Sequence, residues 1–107
     1  MIPPYYTQRA IPRIESIGVE VKDGNVVYSF REHNQLLAPF VGILIVRINQ
    51  SVPTTATTTS KIQFDSGAGA VTLKYYNDAD LTVANFAGSG VHLCFYDAYA
   101  KKLQLIK

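Results

Sequence analysis

Apolar residues alternate with polar residues along most of this chain, and this period of two constrains the fold more than any other feature of the sequence. The alternation runs through residues 17–22, 26–31, 62–65 and 71–76. Successive side chains of a β-strand point to opposite faces, so the pattern predicts strands with one buried side and one solvent-facing side. No window of twelve or more residues carries the i, i+3, i+4, i+7 apolar stripe and the caps of a long helix. The sequence therefore predicts an all-β protein.

Turn residues separate the alternating segments at regular intervals. Asp23-Gly24 lies between two of them and tolerates the positive φ angles of a type I′ hairpin. Glycine-containing turns at 66–69 and 87–90 separate further segments. Short strands at this spacing are typical of an antiparallel sandwich or a small barrel. We predict an antiparallel β-sandwich, jelly-roll or immunoglobulin-like, of seven to eight short strands at roughly 14–21, 26–31, 40–49, 57–65, 70–77, 81–86, 91–98 and 102–106.

Two segments depart from the alternation. Residues 1–13 contain Pro3, Pro4 and Pro12 and show no period, which predicts an extended N-terminal arm ahead of a single domain at 14–107. Residues 51–60 are uncharged and rich in threonine. Threonine favours extended backbone because its β-branch restricts χ1. We expect a loop at Pro53, after which the threonines lead into the next strand.

The charge content narrows the function classes. Only 17% of the residues are charged, against about 25% in typical soluble domains. The net charge of +2 is too small to indicate nucleic-acid binding without a clustered basic patch. The longest apolar stretch is interrupted by Arg47 and falls short of the roughly 20 residues of a membrane-spanning helix. The N-terminus lacks a signal-peptide pattern, so we expect synthesis in a cytoplasm and no membrane partner.

Residues that could carry chemistry are few and isolated. His92 and Cys94, the single cysteine, share one face of a predicted strand, but no orienting third group or oxyanion hole accompanies them. Asp78 and Asp80 could bind Ca²⁺ through carboxylate oxygens, although a turn in which they bond local backbone N–H groups is the simpler interpretation. His33 lies in a polar segment and is most simply solvated. We predict a protein that is not an enzyme and that binds no metal or cofactor.

Two segments, residues 40–48 and 91–96, are apolar on both of their alternating faces. In a two-layer sandwich only one face of each sheet meets the core. The second face needs a cover, either the N-terminal arm or another subunit, and we favour a subunit because large exposed apolar patches mark protein contacts. The side chains that we assign to this partner-binding face are Val41, Ile43, Ile45, Cys94 and Tyr96.

The predicted arm carries a second set of candidate contact residues, namely Tyr5, Tyr6, Arg9 and Arg13. Interleaved cations and aromatic rings could stack bases and pair with phosphates. The other basic residues are spread along the chain, however, and Glu15 and Glu20 follow at once. We therefore expect the arm to dock on a neighbouring protein subunit, with the tyrosines as aromatic anchors and the arginines as polar ones.

Two stretches stand out together: residues 46–53 with the threonine tract that follows, and residues 90–97 with the later Leu103-Gln104-Leu105. They resemble the small auxiliary, or decoration, head proteins of tailed bacteriophages, including the crAss-like phages of gut Bacteroides. The resemblance implies a virion protein made in the bacterial cytoplasm, with no catalytic residues. It implies a partner in the major capsid protein or another virion protein, a homo- or hetero-oligomeric state, and a role in stabilising the shell or anchoring a head fibre.

A carbohydrate-binding or adhesion module is the alternative from another functional class. Sandwich domains often bind glycans through exposed aromatic side chains, and the candidates here are Tyr6, Tyr76, Tyr96 and Tyr99. The absence of tryptophan and of a secretion signal counts against this interpretation.

Overall fold

The computed structural model describes residues 12–31, 41–67, 69–86 and 88–106, and they form strands and turns. The seven strands are β1 (Arg13–Lys22), β2 (Asn25–Phe30), β3 (Val41–Ile48), β4 (Ile62–Asp65), β5 (Ala70–Tyr75), β6 (Gly90–Asp97) and β7 (Lys102–Leu105). One turn of 3-10 helix, Val83–Asn85, follows β5. The prediction of an all-β protein is confirmed over these ranges.

The seven strands close into a barrel with the order β1-β2-β4-β5-β7-β6-β3, after which β3 returns to β1. Four neighbouring pairs are antiparallel, namely β1–β2, β3–β6, β4–β5 and β6–β7. The other three pairs, β1–β3, β2–β4 and β5–β7, are parallel. Closure pairs every strand with two neighbours over part of its length, so the outer faces of the barrel are its most extensive surfaces for a partner.

The predicted antiparallel sandwich is therefore wrong, and two strands that change partners explain why. In β1, residues 13–15 pair with β3, whereas the strand from Ser16 onward pairs with β2. In β5, residues 70–72 pair with β4 and residues 73–75 pair with β7. A register shift between Ser16 and Gly18 marks the bend in β1, as expected where a strand turns a corner between sheets. The alternation of apolar and polar residues predicts which face of a strand a side chain occupies, but it does not predict which strand lies next to it. For this reason the sequence did not distinguish a barrel from a sandwich.

The turn predicted at Asp23-Gly24 is confirmed, whereas the strand predicted from the threonine tract is shorter than expected. Asp23 and Gly24 both have positive φ, 53° and 78°, as the predicted type I′ turn requires. The predicted strand at 57–65 begins only at Ile62, because the threonine tract turns on itself through the bond from Ser60 N–H to Thr57 O, at 3.1 Å. The Thr57 hydroxyl also contacts the hydroxyl of Ser60, and such local bonding competes with strand formation. The predicted strand at 81–86 is replaced by the 3-10 turn.

The core fills the barrel interior with side chains from every strand. Tyr28 stands edge-on to Phe64 and Phe86, with ring centroids 6.2 Å and 6.1 Å apart, a favourable aromatic geometry. The largest fully buried side chains are Tyr28, Phe64, Ile14, Leu44, Ile48, Ile62, Leu73, Leu81, Leu103, Val26, Val46 and Cys94. The inward set of each strand is thereby fixed, and with it the outward set on which any partner-binding surface depends.

Candidate functional site: the outer face of β3 and β6

The outward side chains of β3 are mostly aliphatic. Leu44, Val46 and Ile48 enter the core, and the opposite parity sends Val41, Ile43 and Ile45 outward, as predicted. Val41 and Ile43 are 49% and 37% exposed, and Ile45 is half-buried. The outward row of β3 therefore presents three aliphatic side chains before it reaches a charged one, Arg47.

The outward side chains of β6 complete the surface. Val91 and Leu93 are 61% and 41% exposed, and Phe95 is half-buried. The β3–β6 register places Ile43 opposite Phe95 and Ile45 opposite Leu93, so the two rows form one contiguous patch. We call this patch the outer apolar face, and its members are Val41, Ile43, Ile45, Val91, Leu93 and Phe95.

The assignment of Cys94 and Tyr96 to the partner-binding face is wrong. Both side chains enter the core, where they are 0% and 2% exposed, and Cys94 lies opposite Leu44 in the register. When both alternating sets of a strand are apolar, the sequence does not show which set is buried. In residues 91–96 the set that we assign to the partner, Cys94 and Tyr96, is the buried one. This correction replaces two residues of the predicted face with the outward row of β6.

Cys94 and His92 do not form a reactive pair. Burial raises the pKa of the Cys94 thiol to about 12, which keeps it protonated at neutral pH and a poor nucleophile. His92 contacts the carbonyl oxygen of Gly88 through Nε2 at 2.8 Å and stacks on the ring of Phe86 at 4.7 Å. These contacts give both residues packing roles in the structure.

Asp78 and Asp80, which we considered as calcium ligands, both lie beside lysine side chains. Asp80 lies 3.0 Å from Lys74 and 3.5 Å from Lys61, and these two lysines hold its pKa below the ordinary value. Asp78 lies 3.4 Å from Lys102. Within the described residues neither carboxylate accepts a hydrogen bond from a neighbouring backbone N–H, contrary to our prediction; their partners are Lys74, Lys102 and Gln104. Across the same ranges no three His, Cys, Asp or Glu side chains cluster as metal ligands would.

Most of the predicted arm lies outside the described residues, including Tyr5, Tyr6 and Arg9, and so does His33. The structure does describe Arg13, which is the first residue of β1. It is exposed and pairs with Ile45 of β3, so it borders the outer apolar face. Pro12 accepts a hydrogen bond from the backbone N–H of Ile45 at 2.9 Å. Docking of the arm on a neighbouring subunit stays a prediction.

Sequence reasoning missed a polar cleft beside the outer apolar face. The cleft has a volume of about 460 Å³ and lies where β1 leaves β3 for β2. It is lined by Arg13, Glu15, Ser16, Ile17, Arg31 and Asn49. The hairpin register could have pointed to it, because pairing counted back from Asp23-Gly24 brings Arg31 close to Glu15 and Ser16.

The tyrosines proposed for glycan binding do not form one platform. Tyr96 is buried, and Tyr6 lies outside the described residues. Tyr76 and Tyr99 are largely exposed in the turns that follow β5 and β6. Carbohydrate binding thus keeps two of its four candidate residues.

Comparisons of the chain with protein-family models, curated proteins and solved structures give no match. Within the described ranges no helix is long and apolar enough to cross a membrane.

Proposed function

We propose that this protein is a non-enzymatic structural component of a larger protein assembly, which it joins through the outer apolar face. The observation that carries the proposal is the contiguity of this face, in which Ile43 meets Phe95 and Ile45 meets Leu93 across two strands. Isolated exposed aliphatic residues are normal on protein surfaces, whereas contiguous apolar patches mark contacts with other macromolecules. Each of the two strands is paired with two neighbours over part of its length, and the partner would pack on the outward side chains.

The resemblance to auxiliary head proteins suggests which assembly this is. We propose that the partner is a virion protein, the major capsid protein first of all, and that the chain reinforces the shell or anchors a head fibre. The proposed location of the protein is accordingly the virion.

The test combines particle binding with a matched pair of variants. Purified phage particles from the producing cells are assayed for the wild-type chain, for an Ile43→Ser and Leu93→Ser double variant, and for Tyr76→Ser. Burial of a Leu or Ile side chain contributes about 1.5–3 kcal/mol, so the double variant should bind particles with at least about tenfold lower affinity, measured as occupancy below saturation. Tyr76 is also exposed but lies away from the face in the turn after β5, and its variant should bind as the wild type does.

Light scattering on the isolated protein completes the test, with the 11.8 kDa monomer mass as the reference. Both serine variants should keep the wild-type melting temperature, since their side chains are outside the core. A clean monomer that is absent from particles would contradict the proposal. Equal occupancy of the double variant and the wild type would contradict the assignment of the face.

A further inference from the structure

The polar cleft beside the outer apolar face has donors that the fold does not use. The Ser16 hydroxyl accepts a bond from Asn49 N–H at 2.8 Å and donates to Gln50. The Asn49 side-chain amide donates to Glu15 at 2.7 Å and to the Ser16 carbonyl at 3.1 Å. Its oxygen accepts from Arg47. The neutral polar groups of the lining are therefore already engaged.

The two arginines of the lining stand in contrast to these neutral groups. The guanidinium groups of Arg13 and Arg31 make no hydrogen bond and no ion pair in the part of the chain that the structure describes. Each guanidinium carries five N–H donors in a rigid planar fork, a geometry that suits the two oxygens of a carboxylate. The free donors of the cleft are thus the two guanidinium groups. Arg13 lies at the start of β1, and Arg31 follows the end of β2.

The charge of the lining selects among anions. Among the described lining residues, two arginines and Glu15 leave one net positive charge, which complements a single negative charge. A phosphate dianion, or the successive phosphates of a nucleic acid, would bring more negative charge than these residues neutralise, and Glu15 would repel the excess. Ile17 is exposed in the same lining and offers an apolar contact for the chain on either side of the charged group.

We propose that this cleft binds one carboxylate side chain on an extended segment of a partner protein. Arg13 and Arg31 hold the carboxylate, and Ile17 contacts the segment next to it. Because Arg13 pairs with Ile45, the segment can continue onto the outer apolar face. The inference rests on the proposed function for the identity of its partner, so its test uses a peptide and no assembly.

The experiment follows the amide signals of the ¹⁵N-labelled full chain during titration with a blocked Val-Glu-Val tripeptide. Val-Gln-Val is the uncharged probe, and inorganic phosphate at pH 7.5 and equal ionic strength is the dianion. We expect the glutamate peptide to shift the Ser16, Ile17 and Asn49 signals. Val-Gln-Val should bind at least about threefold more weakly because it lacks the charge that the arginines contact. Phosphate should bind as weakly because its second charge is repelled by Glu15 and it has no apolar side chain for Ile17.

Two arginine variants and a matched control assign the site. Arg13→Gln and Arg31→Gln should each weaken the glutamate peptide by about threefold to tenfold. Lys22→Gln removes the same charge from an exposed position at the other end of β1 and should change nothing. Equal losses in all three variants, or equal binding of the glutamine peptide or of phosphate, would overturn the proposal. If the peptide binds as expected but particles do not, only the proposed function fails.

Discussion

The two sides of the barrel cover their outer surfaces in different ways. On the β4–β5 side the outward residues are polar apart from Ala70, and Gln63 donates to the Thr72 hydroxyl across the pair at 3.4 Å. Lys74, the next outward residue of β5, forms an ion pair with Asp80. On the β3–β6 side most outward residues are aliphatic or aromatic, and the charged ones, Arg47 and Asp97, lie at the strand ends. One side is covered by its own polar groups, whereas the other leaves a contiguous apolar surface exposed.

The same difference decides how far the sequence can be interpreted. In β5 the polar neighbours Thr72 and Lys74 predict that Leu73 is the inward side chain. Leu73 is indeed fully buried, and its two neighbours are only half-buried. In β6 both sets are apolar, so a shift by one residue gives an equally plausible pattern and reverses every side chain. Cys94 and Tyr96 were misplaced for this reason. A wrong parity is thus itself a sign of a strand with two apolar faces.

The largest expected effect separates the inner row from the outer row within each side. Leu44→Ala and Leu73→Ala should each lower the free energy of unfolding by about 2–5 kcal/mol, since they leave cavities in a packed core. Their outward neighbours, Ile43→Ala and Lys74→Ala, should cost less than about 1 kcal/mol. Urea denaturation measures all four. An Ile43→Ala cost equal to that of Leu44→Ala would show that the outer apolar face is covered within the isolated chain.

A pH series sharpens the inward position of Cys94. Its pKa is raised from 9.0 to about 12 in the folded protein, so the unfolded chain loses this proton first. Stability should therefore be complete below pH 9 and fall as the pH rises from 9 toward 12, by up to about 1.4 kcal/mol per pH unit. Urea midpoints between pH 8 and pH 9 measure the onset of this slope, in a range where few tyrosine side chains are ionised. Cys94→Ala should remove most of it, and an unchanged slope would place the thiol in solvent.

The core shared by both sides contains a buried oxygen that the fold does not bond. Tyr28 is fully buried, and among the described residues its hydroxyl has no hydrogen-bond partner. An unpaired buried polar group costs about 1–3 kcal/mol, so Tyr28→Phe should stabilise the protein by about 1 kcal/mol. Thermal unfolding monitored by circular dichroism measures the change. A loss of stability would mean that the hydroxyl has a partner, such as an ordered water.

The smallest expected effect tests the polar side. Lys74 and Lys61 lower the pKa of Asp80, so the stability that this carboxylate contributes is present above its ordinary pKa and is lost as the pH falls through the lowered value. Asp80→Asn should therefore reduce the melting temperature slightly at pH 6 and not at pH 2, and the difference should shrink in 1 M salt because these charges are exposed. A difference that persists at pH 2 would show that Asp80 acts through packing.

The architecture divides into parts that local chemistry decides and parts that it does not. The hairpin at Asp23-Gly24 follows from the backbone angles those two residues accept. Closure does not follow from local chemistry, because it depends on β1 and β5 each pairing with two strands. The cleft can be predicted in part. The hairpin register brings Arg31 close to Glu15, but a bulge at Ser16 that the sequence does not reveal shifts the pairing by one residue. Val41, Ile43 and Ile45 were placed correctly from their sequence pattern alone.

The central claim is that the outward row of β6 is covered by a partner, and thiol labelling tests it most directly. In a Cys94→Ala background, Leu93→Cys places the one thiol of the chain on the outer apolar face. We predict rapid modification by a maleimide in the isolated protein and at least about tenfold slower modification in assembled particles, whereas the native thiol of Cys94 should be unreactive in both. Equal reactivity of the cysteine at position 93 in the free and the assembled protein would contradict the account.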